Sequence, residues 1–201
     1  MAAPVTHLYF ADKFCDKHWE IDRFQFFSWN CLPDIRYIDD TIERTKYHIR
    51  DVAIHEVLEE KSDFWKGVKF HSFVDGNRGM FCRLHIYPLE NFDEIMVRAL
   101  KFAEDDILYS RLFFRQDFVK FLSEYEFPVY DINLESIKKW KSILCDYFSA
   151  QPCKSSRDKF GKSTGLTENL RIKIETLLCE FRWKYLQQIN DMIAFIENNM
   201  E

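Results

Sequence analysis

The segment from Thr167 to Asn199 constrains the fold most strongly, because its apolar residues recur at steps of three and four over many turns. The recurring positions are Leu170, Ile174, Leu177, Leu178, Phe181, Tyr185 and Ile189. This spacing predicts a long amphipathic helix. Only 5 glycines and 5 prolines occur among the 201 residues, which favours long helices over a sandwich or barrel with many turns.

Helices are predicted for most of the chain before that segment. The predicted segments are 5–14, 22–29, 63–87 with Ser62 as N-cap, 91–125 with an interruption near Arg115, and 133–150. The stretch AQPCKSSRDKFGKSTG, residues 150–165, is predicted to be the longest loop, because it places a proline and two glycines among serines and lysines. The fold expected is all-α, a single compact multi-helix domain over residues 1–201.

Charge and hydropathy exclude some classes of partner. The net charge is −5 and no strongly basic stripe is visible, so we expect no duplex nucleic acid as partner. No segment has 18 uninterrupted apolar residues, which argues against a transmembrane helix. The N-terminus lacks a basic leader followed by an apolar run, so we expect a cytoplasmic protein, with unconventional export left open.

The hexapeptide FHSFVD places two chemically active side chains in an apolar helical run. His71 and Asp75 lie four residues apart, so both stand on one helix face and can converge on one ion. Zinc needs four ligands, or three and a water. The candidates for the others lie upstream: Asp34 in PDIRYIDD, His48 in ERTKYHI and His7 in VTHLYF. Imidazole nitrogens mixed with carboxylates suit zinc, manganese or ferrous iron, and suit catalysis better than a closed structural site.

Each of these residues also has a structural interpretation. His71 and Asp75 could form a hydrogen-bonded pair, since buried polar groups are normally partnered. His48 could be a surface histidine among basic neighbours, and His7 a satisfied core histidine. Asp34 could simply cap the turn after a proline.

The order of His7, the PDIRY segment, His48 and the HSFVD motif resembles the zinc-dependent phospholipase C family, which is related to the P1-type nucleases. The resemblance covers the chain up to the end of HSFVDGNRGMF. It implies that Asp34, His48, His71 and Asp75 bind one zinc ion. It also implies that His7, with Asp75 as a bridging ligand, begins a second zinc site.

The third zinc of that family uses an HxxxE arrangement that this chain lacks. The only later histidine, His85, is followed by a glutamate, Glu90, five residues on and past a proline. We therefore expect one or two ions, of zinc or else of manganese or iron.

The expected function is a metal-dependent hydrolase that uses a metal-activated water on a phosphate ester. The substrate would be a phosphodiester such as a phospholipid headgroup, or a nucleotide or other small molecule. Asp34 would be a ligand and the catalytic proton acceptor. Arg36, Arg44, Lys46 and Arg78 are the candidates that would neutralise phosphate oxygens.

Two alternatives remain open at this point. One is a non-catalytic helical protein that keeps the fold, with or without one metal ion, and binds a protein partner through its long C-terminal helices. The other is a phosphohydrolase similar to HD-domain proteins. The chain contains no adjacent His-Asp dipeptide, which disfavours the hypothesis of an HD-domain phosphohydrolase.

Overall fold

Side-chain caps determine where several helices begin. The computed structural model describes residues 3–127 and 131–201. Within them a side-chain oxygen accepts a first-turn backbone N–H at five helix starts: Asp22, Ser62, Asp93, Asn133 and Thr167. Such caps satisfy N–H groups that the helix itself leaves unpaired and contribute about 1 kcal/mol each. The predicted N-cap at Ser62 is confirmed.

The described residues are predominantly α-helical and contain no strand. In chain order the helices are α1 (Pro4–Lys17), α2 (Arg23–Cys31), α3 (Arg44–Tyr47), α4 (Ile54–Leu58), α5 (Asp63–Phe81), α6 (Glu94–Tyr109), α7 (Arg115–Glu124), α8 (Leu134–Phe148), α9 (Lys154–Ser163), α10 (Glu168–Lys184) and α11 (Leu186–Asn198). Two 3-10 segments (Leu32–Tyr37 and Tyr87–Leu89) and a π-helical turn (Cys82–Ile86) complete the set. The predicted all-α, single-domain fold is confirmed.

The longest predicted segments are divided in the structure. Residues 91–125 form α6 and α7, with the break just before Arg115, as the sequence indicates. The C-terminal segment forms two helices, α10 and α11, because Tyr185 departs from helical geometry with φ −111° and ψ 14°. None of the described helices combines the length and the apolar character that crossing a bilayer requires.

The loop predicted for residues 150–165 is wrong over most of its length, because α9 lies there. An ion-pair cluster holds this polar helix in place. Arg157 donates to Asp106 of α6 at 2.8 Å and to Glu175 of α10 at 2.6 Å. Tertiary contacts of this kind override the weak helix propensity of a segment rich in serine and glycine.

Close packing of α5 on α2 fixes the relative position of the candidate site. Gly67 of α5 faces α2, and a Cβ atom at this position would lie 2.4 Å from Trp29 Cβ. The missing side chain therefore allows a helix approach that any other residue would prevent. The rings of Phe14, Phe26 and Phe70 pack against one another with centroids 4.7–5.4 Å apart, which joins α1, α2 and α5 into one core.

Candidate metal centre

Helix α5 presents two of the predicted ligands on one face. His71 is fully buried, and its Nε2 atom lies 3.6 Å from Oδ2 of Asp75, one turn further along. The Asp75 side chain is 10% exposed, so it stands at the boundary between the interior and solvent. The helical spacing read from FHSFVD thus brings both groups to one point.

Three other elements bring the remaining predicted ligands to the same point. Helix α1 carries His7, the 3-10 segment after Pro33 carries Asp34, and His48 is the residue that ends α3. Nε2 of His48 lies 3.2 Å from Nε2 of His71 and 3.4 Å from Oδ1 of Asp34. Nε2 of His7 lies 3.4 Å from an oxygen of Asp75. All five side chains singled out in the sequence therefore meet in space.

The separations of these atoms agree with a shared cation. Zinc–nitrogen and zinc–oxygen bonds in tetrahedral sites place neighbouring ligand atoms about 3.3 Å apart. The four contacts above span 3.2–3.6 Å, most of them longer than the usual N–H···O hydrogen bond. In two groups of three residues, each residue offers one ligand atom, and these atoms lie within 4.8 Å of one another. The groups are His7 with Asp34 and His71, and His48 with His71 and Asp75. The cluster could hold a metal ion.

The protonation of His71 is set by its second ring nitrogen. Nδ1 of His71 lies 2.8 Å from the backbone carbonyl of Asn30, which can only accept, so Nδ1 carries the proton and Nε2 keeps its lone pair. The Asn30 side-chain amide also donates to the carbonyl of His7 at 2.8 Å. Burial and the neighbouring His7 lower the pKa of His71 to about 3, which keeps its ring neutral. An imidazole held in this way is prepared to bind a metal.

The two carboxylates are ionised. Burial acts to raise the pKa of Asp34, but the hydrogen-bonding contact with His48 and the electrostatic interaction with the His71 ring outweigh it and lower the pKa. Burial likewise opposes ionisation of Asp75, yet nearby positive charge and its contacts with His7 and His71 hold its pKa well below the ordinary value. Carboxylate oxygens beside imidazole nitrogens form the donor set that zinc, manganese and ferrous iron take.

Several buried atoms of the cluster make no hydrogen bond within residues 3–127 and 131–201. They are both ring nitrogens of His7, Oδ1 of Asp34 and Nδ1 of His48. Buried polar atoms are almost always satisfied, and leaving one unpaired costs about 1–3 kcal/mol. A cation at the centre would partner Oδ1 of Asp34 and one ring nitrogen of His7, whereas the other His7 nitrogen and Nδ1 of His48, whose Nε2 faces the cluster, would each need a different partner.

A cleft of about 540 Å³ opens on this cluster and is lined by His48 and Asp75. Three exposed arginines also line it: Arg44, Arg50 and Arg83. In the part of the chain that the structure describes, their guanidinium groups make neither hydrogen bonds nor ion pairs. The cleft therefore combines a candidate metal centre with three arginine guanidinium groups that make no ion pair within the described residues. This combination suits an anionic ligand.

Two of the predicted phosphate-binding residues now have clear positions. Arg44 lines the cleft. Arg78 is buried and donates to both carboxylate oxygens of Glu104, at 2.6 and 2.7 Å. Because Glu104 already holds the Arg78 guanidinium in the interior, this arrangement gives no support to a phosphate-binding role for Arg78.

The other two predicted residues contact partners outside the cleft lining. The guanidinium of Arg36 lies over the ring of Tyr37 at 4.3 Å and donates to its hydroxyl at 2.9 Å. The ammonium of Lys46 pairs with Asp131 at 2.7 Å. The structure thus brings Arg44 beside the predicted ligands, and it places Arg36 and Lys46 elsewhere.

The sequence-based prediction did not include Arg50 and Arg83 as residues of the cleft, although the helical spacing of Arg83 indicated its position. His71, Asp75, Gly79 and Arg83 follow one another at steps of four, so they share a face of the helix and its π-helical extension. Arg50 gave no such signal, because it follows His48 in an irregular segment whose direction a sequence does not specify.

Comparison with known proteins adds no family to these observations. No protein-family model matches the chain, and no curated protein or solved structure matches it. The function has to be argued from the site itself.

Proposed function

We propose that the protein is a metal-dependent hydrolase of phosphate esters, with zinc as the first candidate ion and with one or two ions bound. The observation that carries the proposal is the clustering of ligand atoms from Asp34, His48, His71 and Asp75. Contacts of 3.2–3.6 Å link these four residues in a chain, and His48, His71 and Asp75 each offer one ligand atom within 4.8 Å of the other two. The proposal includes kinship with the zinc-dependent phospholipase C family, whose pattern of ligands the sequence resembles.

The chain's own groups have defined parts in this reaction. A bound ion of this type lowers the pKa of a coordinated water towards ~7 and so provides a nucleophile at neutral pH. Asp34 is ionised at that pH and can accept the proton that the attacking water loses. The Asn30 carbonyl keeps the His71 ring in the orientation and tautomer that ligation needs.

The arginines of the cleft bind and orient the substrate. Guanidinium groups match the geometry of phosphate oxygens and neutralise their charge, and charge that develops during attack on phosphorus is stabilised in the same way. Arg44, Arg50 and Arg83 lie on the cleft side of the cluster, next to His48 and Asp75. Water would then attack phosphorus as Asp34 takes its proton, the ester P–O bond would break, and the leaving alkoxide would receive that proton and depart as the alcohol.

Metal content and turnover test the proposal together. Elemental analysis of protein purified without chelators should show at least one equivalent of zinc, manganese or iron, which a His71→Ala variant loses. His85→Ala is the matched control, because His85 is exposed and lies outside the cluster. Hydrolysis of p-nitrophenyl phosphate or bis(p-nitrophenyl) phosphate should follow the metal content. Wild-type protein that holds no metal, or a His71→Ala variant that keeps all of it, would refute the proposal.

A second candidate function is a non-catalytic protein that binds a protein partner. Ile172 and Trp183 of α10 favour it, since they are 60% and 79% exposed and their spacing of eleven residues places them on one face. Bound metal without turnover on either p-nitrophenyl ester would favour this candidate over the hydrolase.

A further inference from the structure

A second, smaller cavity adjoins the metal cluster at Asp34. It has a volume of about 70 Å³ and lies between the 3-10 segment, α6 and α9. Its lining includes the polar side chains of Tyr37, Arg98 and Lys101. The volume holds a few waters or one small oxyanion, whereas the cleft on the other side of the cluster is several times larger.

Lys101 is the unusual group in this cavity. It is mostly buried, and within the described residues its ammonium makes no hydrogen bond or ion pair. The guanidinium of Arg98, one turn earlier on α6, donates a hydrogen bond to the carboxylate of Glu94 at 2.6 Å. Partial removal of an ammonium from water without a compensating partner is unfavourable, so the Lys101 ammonium is available to bind an anion in this cavity.

The electrostatics of Lys101 agree with that role. Burial, with a smaller contribution from Arg78, lowers the pKa of Lys101 to about 8, and the carboxylates of Asp75 and Asp34 act in the opposite direction. The ammonium therefore remains largely protonated at neutral pH. The ammonium is then a cation near the carboxylates of the cluster. Their negative charge raises its pKa, although they lie beyond ion-pair distance.

We propose that this cavity binds a phosphate group through Lys101, so that one phosphate is held between the lysine and the metal cluster at Asp34. The ligand chemistry is a phosphate dianion, supplied either by a phosphomonoester substrate or by the inorganic phosphate released from it. The cleft with its three arginines then receives the organic part and any further phosphates. This inference rests on the proposed function, because it assigns the cavity to a phosphate of that reaction.

Titration calorimetry with inorganic phosphate tests the inference on the zinc-loaded full chain at pH 7. Lys101→Met should weaken phosphate binding roughly tenfold or more, since a hydrogen bond to a charged group is lost. Lys101→Arg keeps the charge and should bind phosphate nearly as well as the wild type. Lys173→Met, at an exposed lysine of α10 outside the cavity lining, removes the same charge and should leave phosphate binding unchanged.

Kinetics identify the source of the phosphate. If the substrate is a monoester, Lys101→Met raises KM for p-nitrophenyl phosphate and leaves KM for bis(p-nitrophenyl) phosphate unchanged. If the group is the product, the variant weakens only inhibition by inorganic phosphate. Wild-type protein that binds no phosphate would overturn the inference, as would a Lys101→Met variant that binds like the wild type or like Lys173→Met. A different result would refute the proposed function, namely that the His71→Ala variant keeps its zinc.

Discussion

Alanine at Gly67 should push α5 away from α2 and loosen the metal centre. The added Cβ would lie 2.4 Å from Trp29 Cβ and 3.1 Å from the backbone nitrogen of Asn30. Neither of these atoms belongs to the flexible end of a side chain, so the helices have to separate. The shift moves the Asn30 carbonyl, which accepts the hydrogen bond from His71 at 2.8 Å.

The expected loss of stability is a difference between two effects. Overfilling a packed contact costs about 1–3 kcal/mol, and alanine returns about 0.5–1 kcal/mol through its better helix propensity. The free energy of unfolding should therefore fall by about 0–2.5 kcal/mol, with a central value of about 1 kcal/mol, which lowers Tm by a few degrees for a chain of this size. Under the proposed assignment of His71 as a zinc ligand, disturbing its hydrogen-bond partner should also weaken zinc binding by roughly 10–100-fold.

Urea unfolding of the metal-free protein measures the first effect, and competition with a chromophoric chelator measures the second. Gly76 of the same helix provides the control, because a Cβ there meets nothing within 4 Å. Gly76→Ala should raise the free energy of unfolding by about 0.5–1 kcal/mol. Midpoints that move in the same direction for both variants, or a Gly67→Ala midpoint at or above that of the wild type, would refute the packing argument.

Three further predictions concern the ion pairs, the buried acid and the cleft. Glu104→Ala leaves the buried guanidinium of Arg78 unpaired and should cost about 3–5 kcal/mol in urea unfolding; a cost below 1 kcal/mol would contradict this. Burial raises the pKa of Asp105 to about 8, so its stabilising contribution is complete below about pH 4 and declines as the pH rises to about 8. The metal-free Asp105→Asn variant should lack that decline, and an unchanged pH slope would contradict the assignment. Arg83→Met should lower kcat/KM for p-nitrophenyl esters roughly tenfold at unchanged zinc content, whereas Arg111→Met, outside the cleft lining, should leave it unchanged.

The helical parts of the fold follow from local sequence signals. Ser62, Asp93, Asn133 and Thr167 are residues that cap helices, and the structure uses each of them in that way. The end of α10 at Tyr185 has no such signal, since tyrosine neither breaks nor caps a helix, and the apolar periodicity continues through it.

Helix α9 shows where local signals fail. Its composition predicts a loop, and its helical state depends on Arg157, which reaches carboxylates on two other helices. Asp106 lies 51 residues before Arg157 and Glu175 lies 18 residues after it. Partners at such distances along the chain are not visible in a window of neighbouring residues.

The candidate site also combines features that local sequence signals indicate with features that they do not indicate. The spacing of His71 and Asp75 on one helix is a local property, and the sequence indicated it. The ligand candidates on α1, on the 3-10 segment and at the end of α3 could be named from their residue types, and the resemblance to a known pattern of ligands supported grouping them with His71 and Asp75. Lys101 and Arg50 were missed, because burial and the lining of a cavity depend on how the helices pack.

Anomalous diffraction from crystals grown with zinc, recorded on both sides of the zinc absorption edge, would locate any bound ion directly. We predict a peak within bonding distance of His48 Nε2 and His71 Nε2 and of an oxygen of Asp34 or Asp75, and its loss in crystals of His71→Ala. Fully occupied zinc elsewhere, or no peak at this cluster in protein that binds its substrate, would contradict the proposed metal centre.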